Sequence, residues 1–290
     1  MVTTKGSARG SAQLAYADVV SRRIAAVAIG VGVALSVVTF YGVRRYFFTS
    51  ASNTELTAEE IRQHYLEHLP SSSSQHDSIP IATTTSPASA PVLPKPGVYR
   101  YDTIGTDSVD ALNGQHHDYP AVTSITVVPF GCGVMQRWDV LKERWAEWER
   151  CVSGDSISQP SFVTYDEFFG QAQTDTYECN GDPRPVDAPA GTTFRFDCVK
   201  SDATDSYSGV VIGTEPMSIG GVIVQALHVR ISIEHETPSD TQLTDRWFQV
   251  GTDLMLAQRV LNDTSNPSVV GKVNYRERVE MHLISLEPQS

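Results

Sequence analysis

The residues with the clearest potential for chemistry are a short run of metal-ligand types, His116-His117-Asp118. Imidazole nitrogens and carboxylate oxygens are common zinc ligands, so three of them in a row could supply most of a site. Neighbouring residues in an extended segment point to opposite sides, however, and the sequence offers no second cluster of ligands to complete the set. The run is therefore interpreted as a polar loop, and neither a metal nor a cofactor is predicted.

No group of serine, histidine and acidic residues is spaced as a catalytic set. Ser218 and Ser232 lack the Gly-x-Ser-x-Gly turn of serine hydrolases, and the chain has no glycine-rich phosphate-binding motif. His228 and His235 are an odd number of residues apart on one strand-like run, which places them on opposite faces. The sequence predicts a non-catalytic protein, with an unrecognised hydrolase as an alternative.

The four cysteines, Cys132, Cys151, Cys179 and Cys198, predict two disulfides. They are even in number, none belongs to a Cys-x-x-Cys motif, and the two successive pairs have equal spacing. Structural disulfides persist mainly in oxidising compartments. We therefore expect Cys132–Cys151 and Cys179–Cys198 bridges in a domain that lies outside the cytoplasm.

The first cysteine pair suggests the register of a hairpin. If Cys132 faces Cys151 on adjacent strands, then Trp138 faces Trp145, and such an aromatic pair is a recognised cross-strand stabiliser. A helix is the alternative, because the residues between the two tryptophans include several strong helix formers. The hairpin is preferred, with Trp138 opposite Trp145.

A run without charged residues, Ile24–Val43, predicts a transmembrane helix. A helix of this length spans about 30 Å at about 1.5 Å per residue, which matches the hydrocarbon core of a bilayer. A cleaved signal peptide is the alternative, but the apolar run is long for one and Arg44-Arg45 interrupts the stretch where cleavage would fall. Basic residues are slightly more numerous before the run than after it, which favours a cytoplasmic N-terminus.

The chain is therefore expected to be a single-pass protein of the cell membrane whose C-terminal domain is extracytoplasmic. Four regions follow from these features: a cytoplasmic tail over residues 1–23, the span over residues 24–43, a juxtamembrane helix with a Ser/Thr/Pro-rich linker over residues 44–96, and a β-domain over residues 97–290.

The juxtamembrane region contains one helix signal. Thr57 and Glu60 have the spacing of a capping box, which predicts a helix from about Ala58 to Leu69. A spacer helix is favoured over a partner-binding one because its apolar stripe is narrow. Residues 71–96 contain few large apolar side chains, so this linker is expected to be disordered or extended.

The membrane is the first predicted partner. Ala26, Gly30 and Ala34 recur every fourth residue of the span, which would allow a homodimer through the transmembrane helix, although a lone anchor explains them equally well. The chain has a net charge of −12, and the excess lies in the β-domain. An acidic domain repels nucleic acid, so nucleic acid is not an expected partner.

The fold class of residues 97–290 is predicted to be all-β. Short runs of alternating or β-branched residues recur between clusters of turn residues such as Asn180-Gly181-Asp182-Pro183, and helical periodicity is scarce. This pattern favours an antiparallel curved sheet, in the form of an open half-barrel or a sandwich.

The C-terminal stretch carries a family resemblance. A Trp-containing strand at Asp245–Val250, a tight turn, the segment Leu254–Arg259 and a long closing strand ending at Leu283–Pro288 follow one another. This order resembles the end of extracytoplasmic β-domains of uncharacterised actinobacterial membrane proteins. More distantly, it is similar to the half-barrels of the lipoprotein-carrier class, of the LolA and LppX type. Those carriers hold lipid in the concave face of their sheet. The lipid-modified cysteine of the lipoprotein members is absent here.

The function predicted from these features is binding, and the ligand implied by the resemblance is a lipid or another apolar molecule. In that case the candidate apolar face should line a contiguous cavity of roughly 300 Å³ or more. Alternatively the same residues pack as the solid core of an interaction or scaffold domain that binds an envelope protein. The candidate apolar face consists of Trp138, Trp145, Phe194, Val224 and Trp247.

Overall fold

Strands make up most of the chain in the computed structural model, which describes residues 52–67, 69, 90–111, 114–201, 203–234, 240–268 and 271–289. One helix and fifteen strands lie in these ranges: α1 (Ala58–Glu67), β1 (Gly97–Val109), β2 (Gln115–Asp118), β3 (Val122–Phe130), β4 (Gly133–Leu141), β5 (Arg144–Ser153), β6 (Ser156–Ser158), β7 (Ser161–Phe168), β8 (Gln171–Gly181), β9 (Arg184–Pro185), β10 (Thr193–Lys200), β11 (Ala203–Ile219), β12 (Val222–Glu234), β13 (Thr241–Gln249), β14 (Met255–Ser268) and β15 (Gly271–Leu283).

Within the described residues, 12 antiparallel strands form a closed barrel. Their order is β4-β3-β1-β15-β14-β13-β12-β11-β10-β8-β7-β5, and the β4–β5 hairpin closes the ring. The short strand β2 pairs with β1, whereas β6 and β9 continue from β5. The prediction of an all-β antiparallel fold is therefore confirmed, but an open half-barrel or a sandwich is wrong.

Closure depends on pairs between strands that are far apart in the sequence. Strand β1 pairs with β15, so that Tyr101 lies opposite Leu283. Such long-range pairing leaves no mark in the alternation of each separate strand, which is why the sequence patterns indicate strands without showing that the two edges of the sheet meet. In a closed ring each of these strands has a neighbour on both sides, so the ring leaves no open edge.

The alternation of side chains along each strand divides the barrel into an interior and an outer face. On β1, Tyr99 and Tyr101 are buried inside, whereas Ile104 points outward and is 83% exposed. The interior is filled largely by aromatic and aliphatic side chains, but it also contains several buried charged groups. These charged groups define the candidate site described below.

The β4–β5 hairpin is present, but its predicted register is wrong by one residue. Trp138 lies opposite Ala146, and Trp145 lies opposite Asp139. The reason is that Cys132 belongs to the turn before β4, so that Gly133 and not Cys132 faces Cys151. The helical alternative is also wrong for this segment.

Both predicted disulfides are confirmed. Cys132 bonds to Cys151, and Cys179 bonds to Cys198. The second pair lies directly opposite one another on β8 and β10. Each bridge therefore joins neighbouring segments of the barrel wall.

Helix α1 begins at the predicted capping box. The backbone N–H of Thr57 donates to the carboxylate of Glu60 at 2.8 Å, and the N–H of Glu60 donates to the Thr57 hydroxyl at 3.2 Å. The helix contacts the barrel, since Lys142 forms an ion pair with Glu60 at 2.6 Å and His64 lies 3.7 Å from Asp139. The helix is thus docked on the outer face of the barrel, and its role as a membrane-proximal spacer stays a prediction.

No helix in the described ranges is long and apolar enough to cross a membrane. The predicted span over residues 24–43, the tail before it and residues 71–89 of the predicted linker lie outside those ranges. The transmembrane helix, its orientation and its homodimer therefore stay predictions.

Candidate functional site

The interior of the barrel contains two clusters of charged residues at opposite ends. One arginine of β5 belongs to each cluster: Arg144 to the first and Arg150 to the second. Both side chains point inward, and the two residues are six positions apart along the strand. At about 3.3 Å per residue this corresponds to roughly 20 Å along the barrel. We call them the carboxylate cluster, around Arg144, and the arginine cluster, around Arg150.

The arginine cluster consists of Arg150 on β5, Arg184 on β9, Arg246 on β13 and Asp253 in the turn between β13 and β14. Arg184 donates from Nη2 to the Asp253 carboxylate, and Nε of Arg150 lies 3.9 Å from the same carboxylate. Arg246 donates from Nε to the side-chain oxygen of Gln258 at 2.7 Å. Among the described residues, Asp253 is the only acidic group that forms an ion pair with this cluster.

A cavity of about 230 Å³ lies beside the cluster, and all three arginines line it. Its mouth is formed by residues 158–160, which are half-buried, and residues 180–182, which are exposed. The disulfide at Cys179 joins β8 to β10 at the rim. The apolar side chains that line the cavity are Ile157, Phe194, Phe196, Ile231 and Phe248.

Burial lowers the pKa of these arginines because it removes their charges from water. The pKa of Arg246 is lowered to about 9, first by burial and then by the charges of Arg150 and Arg184. Burial also lowers the pKa of Arg150 to about 10, against the attraction of Asp253. All three groups still carry a positive charge at neutral pH, so this end of the interior is electropositive although the chain as a whole is acidic.

The carboxylate cluster contains three acidic groups around one arginine. Nη2 of Arg144 lies 3.1 Å from Glu277, and its Nε lies 3.2 Å from Asp166 and 3.9 Å from Asp107. The Asp107 carboxylate also forms a hydrogen bond with Nδ1 of His117 at 2.7 Å. The charges of these groups therefore cancel in part, and most of their ion pairs and hydrogen bonds are with other members of the cluster.

Burial is the main reason that the pKa of Asp166 is raised to about 6. The negative charges of Glu277 and Asp107 raise it further, whereas Arg144 lowers it. A carboxyl group with such a pKa can exchange a proton near neutral pH. Nothing among the described groups positions it against a second catalytic residue in an open cleft, so we interpret the cluster as structural.

A second cavity, of about 130 Å³, lies between the two clusters. It shares Phe196, Ile231 and Arg246 with the larger cavity. Arg144 and Glu277 of the carboxylate cluster line it as well, together with aromatic side chains that include Trp138 and Trp148. The two cavities therefore adjoin each other at these shared side chains.

The outer face of the barrel carries a larger but open groove of about 590 Å³. It crosses β1 and β12 to β15, and Ile104, Leu243 and Leu261 supply part of its apolar lining. Its arginines are paired with acidic residues: Arg230 with Asp245, Arg259 with Glu280, and Arg278 with Asp263. We favour the arginine-lined cavity as the small-molecule site, because its walls are buried and its charges are not balanced.

The structure does not bring the five residues of the predicted apolar face together. Trp138 and Phe194 lie inside the barrel and line the 130 Å³ and 230 Å³ cavities respectively. Trp145 stacks on Tyr165, with the ring centroids 5.4 Å apart, and points outward. Trp247 also points outward, where it stacks on His228 and donates to Glu215, and Val224 is half-buried at the edge of the core.

The candidate metal run lies on a strand and not in a loop. His116 and Asp118 are exposed on β2, whereas His117 points inward to Asp107. The three side chains therefore alternate across the strand, as the argument from extended geometry requires. Cys132, Glu149 and Cys151 lie close enough together to resemble a metal site, but both cysteines are in a disulfide and so offer no thiolate.

The sequence interpretation missed the arginine cluster. Every second residue of β5 points inward, which applies to Arg144, Ala146, Trp148 and Arg150. The position of both arginines on the same face of the strand as a buried tryptophan was therefore the signal in the sequence for an inward orientation. Charged residues on an inward face are unusual, which makes this shared face informative. Arg184 and Asp253 come from short connecting segments, and no pattern in the sequence links them.

Two solved structures align with part of this chain at low identity. No known protein family matches the sequence, and no curated protein matches it either. The hypothetical lipoprotein YmcC of Escherichia coli K12 aligns with a TM-score of 0.28 and 14% identity, over 63% of this chain and 86% of that one. A Bacteroides fragilis protein described as exported and YmcC-like in fold aligns with a TM-score of 0.30 and 9% identity, over 68% of this chain and 99% of that one.

Proposed function

We propose that this protein is a non-catalytic, extracytoplasmic binding protein that holds a small molecule inside its barrel, in the arginine-lined cavity. The observation that carries the proposal is the cavity of about 230 Å³, which opens at one end of the barrel and has buried aromatic walls. Concave sites with apolar walls and a few convergent polar groups are the usual form of small-molecule sites.

The proposed location rests on two features of the chain. The Cys132–Cys151 and Cys179–Cys198 bridges are typical of an oxidising compartment. The uncharged run Ile24–Val43 supports attachment to the cell membrane by one span, with the barrel outside. The basic residues before the run favour the cytoplasmic N-terminus that this arrangement needs.

The proposed ligand differs from the lipid that the family resemblance implies. The cavities of about 230 Å³ and 130 Å³ are each smaller than the roughly 300 Å³ expected for such a ligand. The larger one is also lined by three arginines, which are poor neighbours for an acyl chain. A compact polar molecule with an apolar part fits these walls better.

A fragment screen of the full chain in detergent micelles tests the proposal. Ligand-observed NMR should detect small aromatic fragments that bind the unmodified chain. The Ser158→Trp variant places a large side chain at the mouth and should lose this binding, whereas Val222→Trp, on the exposed end of β12, should keep it. Fragments that bind both variants equally, or no bound fragment at all, would overturn binding in the cavity.

A second candidate function is that of an interaction domain in an envelope assembly. The observation that favours it is the open groove on the outer face, where Ile104 is 83% exposed. A photo-crosslinking residue at position 104 should then capture one envelope protein, and the same residue at position 222 should not. Equal labelling from both positions would argue against a docking surface.

A further inference from the structure

The charges that line the cavity are not balanced within the described part of the chain. Three guanidinium groups face the cavity, and within the described residues Asp253 is the only carboxylate that forms an ion pair with them. Asp253 is itself fully buried and also accepts a hydrogen bond from Gln136 at 2.8 Å. A buried charge without a counter-charge is strongly unfavourable. The exposed Asp182 also lines the cavity, so three guanidinium groups and two carboxylates leave about one positive charge in excess.

Two of the arginines also have donors without acceptors. Arg150 is 6% exposed and Arg184 is 5% exposed, and Nε of each has no hydrogen-bond partner. A buried donor that loses its bond to water without gaining another destabilises the folded state, and the effect is larger if the donor is charged. Positions that tolerate this loss in the free protein are typical of binding sites, where a ligand supplies the acceptor.

The lowered pKa values of Arg150 and Arg246 agree with this geometry. Burial is the first cause in both, and repulsion from the other arginines adds to it. An anion placed between the three groups would oppose both effects. On the outer face, by contrast, Arg230 is paired with Asp245 at 2.8 Å, so no such imbalance exists there.

We propose that the cavity binds a small organic anion, whose carboxylate or phosphate group is held by Arg150, Arg184 and Arg246. This inference rests on the proposed function and specifies its ligand class. Planar guanidinium groups bind carboxylates and phosphates through paired N–H donors, which suits either head group.

The apolar part of the ligand contacts the aromatic walls. Phe194, Phe196 and Phe248 line the cavity, and the guanidinium carbon of Arg184 lies 3.6 Å from the ring centroid of Phe248. The second cavity adjoins this one at Phe196 and Arg246, which line both. The ligand is therefore an amphiphilic anion with its charged group at the arginines and a compact apolar body against the phenylalanines.

Calorimetric titration of the full chain in detergent micelles tests this inference with matched probes. The probes are phenyl phosphate, benzoate, neutral benzyl alcohol, cationic benzylamine and inorganic phosphate. Phenyl phosphate or benzoate should bind at least tenfold more tightly than benzyl alcohol, and benzylamine should not bind. Anionic probes should also bind more weakly as the salt concentration rises, because screening weakens the attraction.

The Arg246→Gln variant separates charge recognition from misfolding. Arg246 has no ion pair among the described residues, so its replacement leaves no carboxylate without a partner. The variant should bind the anions at least tenfold more weakly, its binding of benzyl alcohol should change by a smaller factor, and its melting temperature should be equal or higher. The matched control is Arg259→Gln, on the outer face, which should bind all probes as the unmodified chain does.

The possible results distinguish the two proposals. Equal binding of benzyl alcohol and phenyl phosphate would overturn the anion but leave the interior as a binding site. Inorganic phosphate that binds as tightly as phenyl phosphate would support the anion and overturn the apolar body. If no probe binds and the fragment screen is also negative, both the anion site and the proposed function are overturned.

Discussion

Asp253 and Arg184 form an ion pair in the interior of the barrel, on two connecting segments that meet only in the folded chain. Asp253 is fully buried and lies 3.9 Å from Arg150 as well, so one carboxylate serves two guanidinium groups. Arg184 lies on β9, one of the two short strands that continue from β5, and Asp253 lies in the β13–β14 turn. The pair therefore couples the stability of these segments to the charge balance of the cavity.

Replacement of Asp253 should be among the most destabilising single changes in the barrel. Asp253→Asn leaves the arginines without a counter-charge, and breaking a buried pair in this way typically lowers the free energy of unfolding by about 3–5 kcal/mol. Urea denaturation of the full chain measures the loss. Asp187→Asn is the matched control, since Asp187 is exposed, and should change stability by less than about 0.5 kcal/mol. Equal effects of the two substitutions would contradict the buried pair.

The observed hairpin register predicts different roles for two tryptophans. Trp138 is buried in the interior and donates from Nε1 to the Thr123 hydroxyl at 3.0 Å. Trp138→Ala should therefore lower the free energy of unfolding by about 3–5 kcal/mol. Trp145 stacks on Tyr165 at the outer face, so Trp145→Ala should cost only about 1 kcal/mol.

Thermal and chemical denaturation of both variants measures the difference. The register with Trp138 opposite Trp145 would make the two losses similar, because both rings would then share one face. The expected ranking therefore tests the one-residue offset as well as the burial.

The docking of helix α1 should depend on pH through His64. The contact with the Asp139 carboxylate is the first cause that raises the pKa of His64, and burial and Arg137 oppose it. Because the folded state binds this proton more tightly, the docking contribution is fully present below about pH 6.5 and is lost as pH rises through the higher folded pKa. Hydrogen-exchange protection factors of residues 58–67, which are corrected for the base-catalysed intrinsic rate, should thus be lower at pH 8 than at pH 6.

The His64→Gln variant should remove most of this difference. Arg62→Gln is the control, because in the described part of the chain Arg62 pairs with Glu59 alone, at 3.8 Å on the exposed side of the same helix. It should keep the pH dependence of the unmodified chain. An unchanged pH dependence in His64→Gln would assign the effect to another group.

The sequence revealed the parts of this fold that depend on local signals. The capping box at Thr57 and Glu60, the strand pattern and both disulfide pairs are properties of near neighbours or of cysteine count. Barrel closure could not be predicted, because it depends on pairs such as Tyr101 with Leu283 that no single segment encodes. The predicted register of the β4–β5 hairpin was wrong for a related reason. The sequence does not show whether Cys132 belongs to the strand or to the turn, and this choice changes every pair of facing residues.

The site was harder to predict than the fold. The sequence does not show whether an arginine faces water or a cavity. The only indication for Arg150 is that it lies two residues after Trp148 on β5, and therefore on the same face of the strand. Arg184 and Asp253 lie on segments without periodicity, so their pairing is a property of the tertiary structure alone. The predicted apolar face was chosen by residue type, and type does not separate the inward Trp138 from the outward Trp145.

The carboxylate cluster should make the stability of the barrel depend on pH between about 4 and 6. Burial is the main cause that raises the pKa of Asp166 from 3.8 to about 6, with Glu277 and Asp107 adding to it and Arg144 opposing it. The folded state then binds the proton more tightly than the unfolded state. The contribution of Asp166 is therefore fully present below about pH 4 and is lost as pH rises through 6.

Asp166→Asn mimics the protonated carboxyl group and should remove this loss. A shift of about 2 pKa units corresponds to at most about 3 kcal/mol, but the side chain is 31% exposed, so solvent screening reduces the expected gain at pH 7 to about 1 kcal/mol. Urea denaturation at pH 4.5, 6 and 7.5 should show a gain that grows with pH. Asp102→Asn, an exposed change on the outer face of β1, should show none. A variant that is less stable than the unmodified chain at pH 7.5 would instead show that Arg144 needs all three carboxylates.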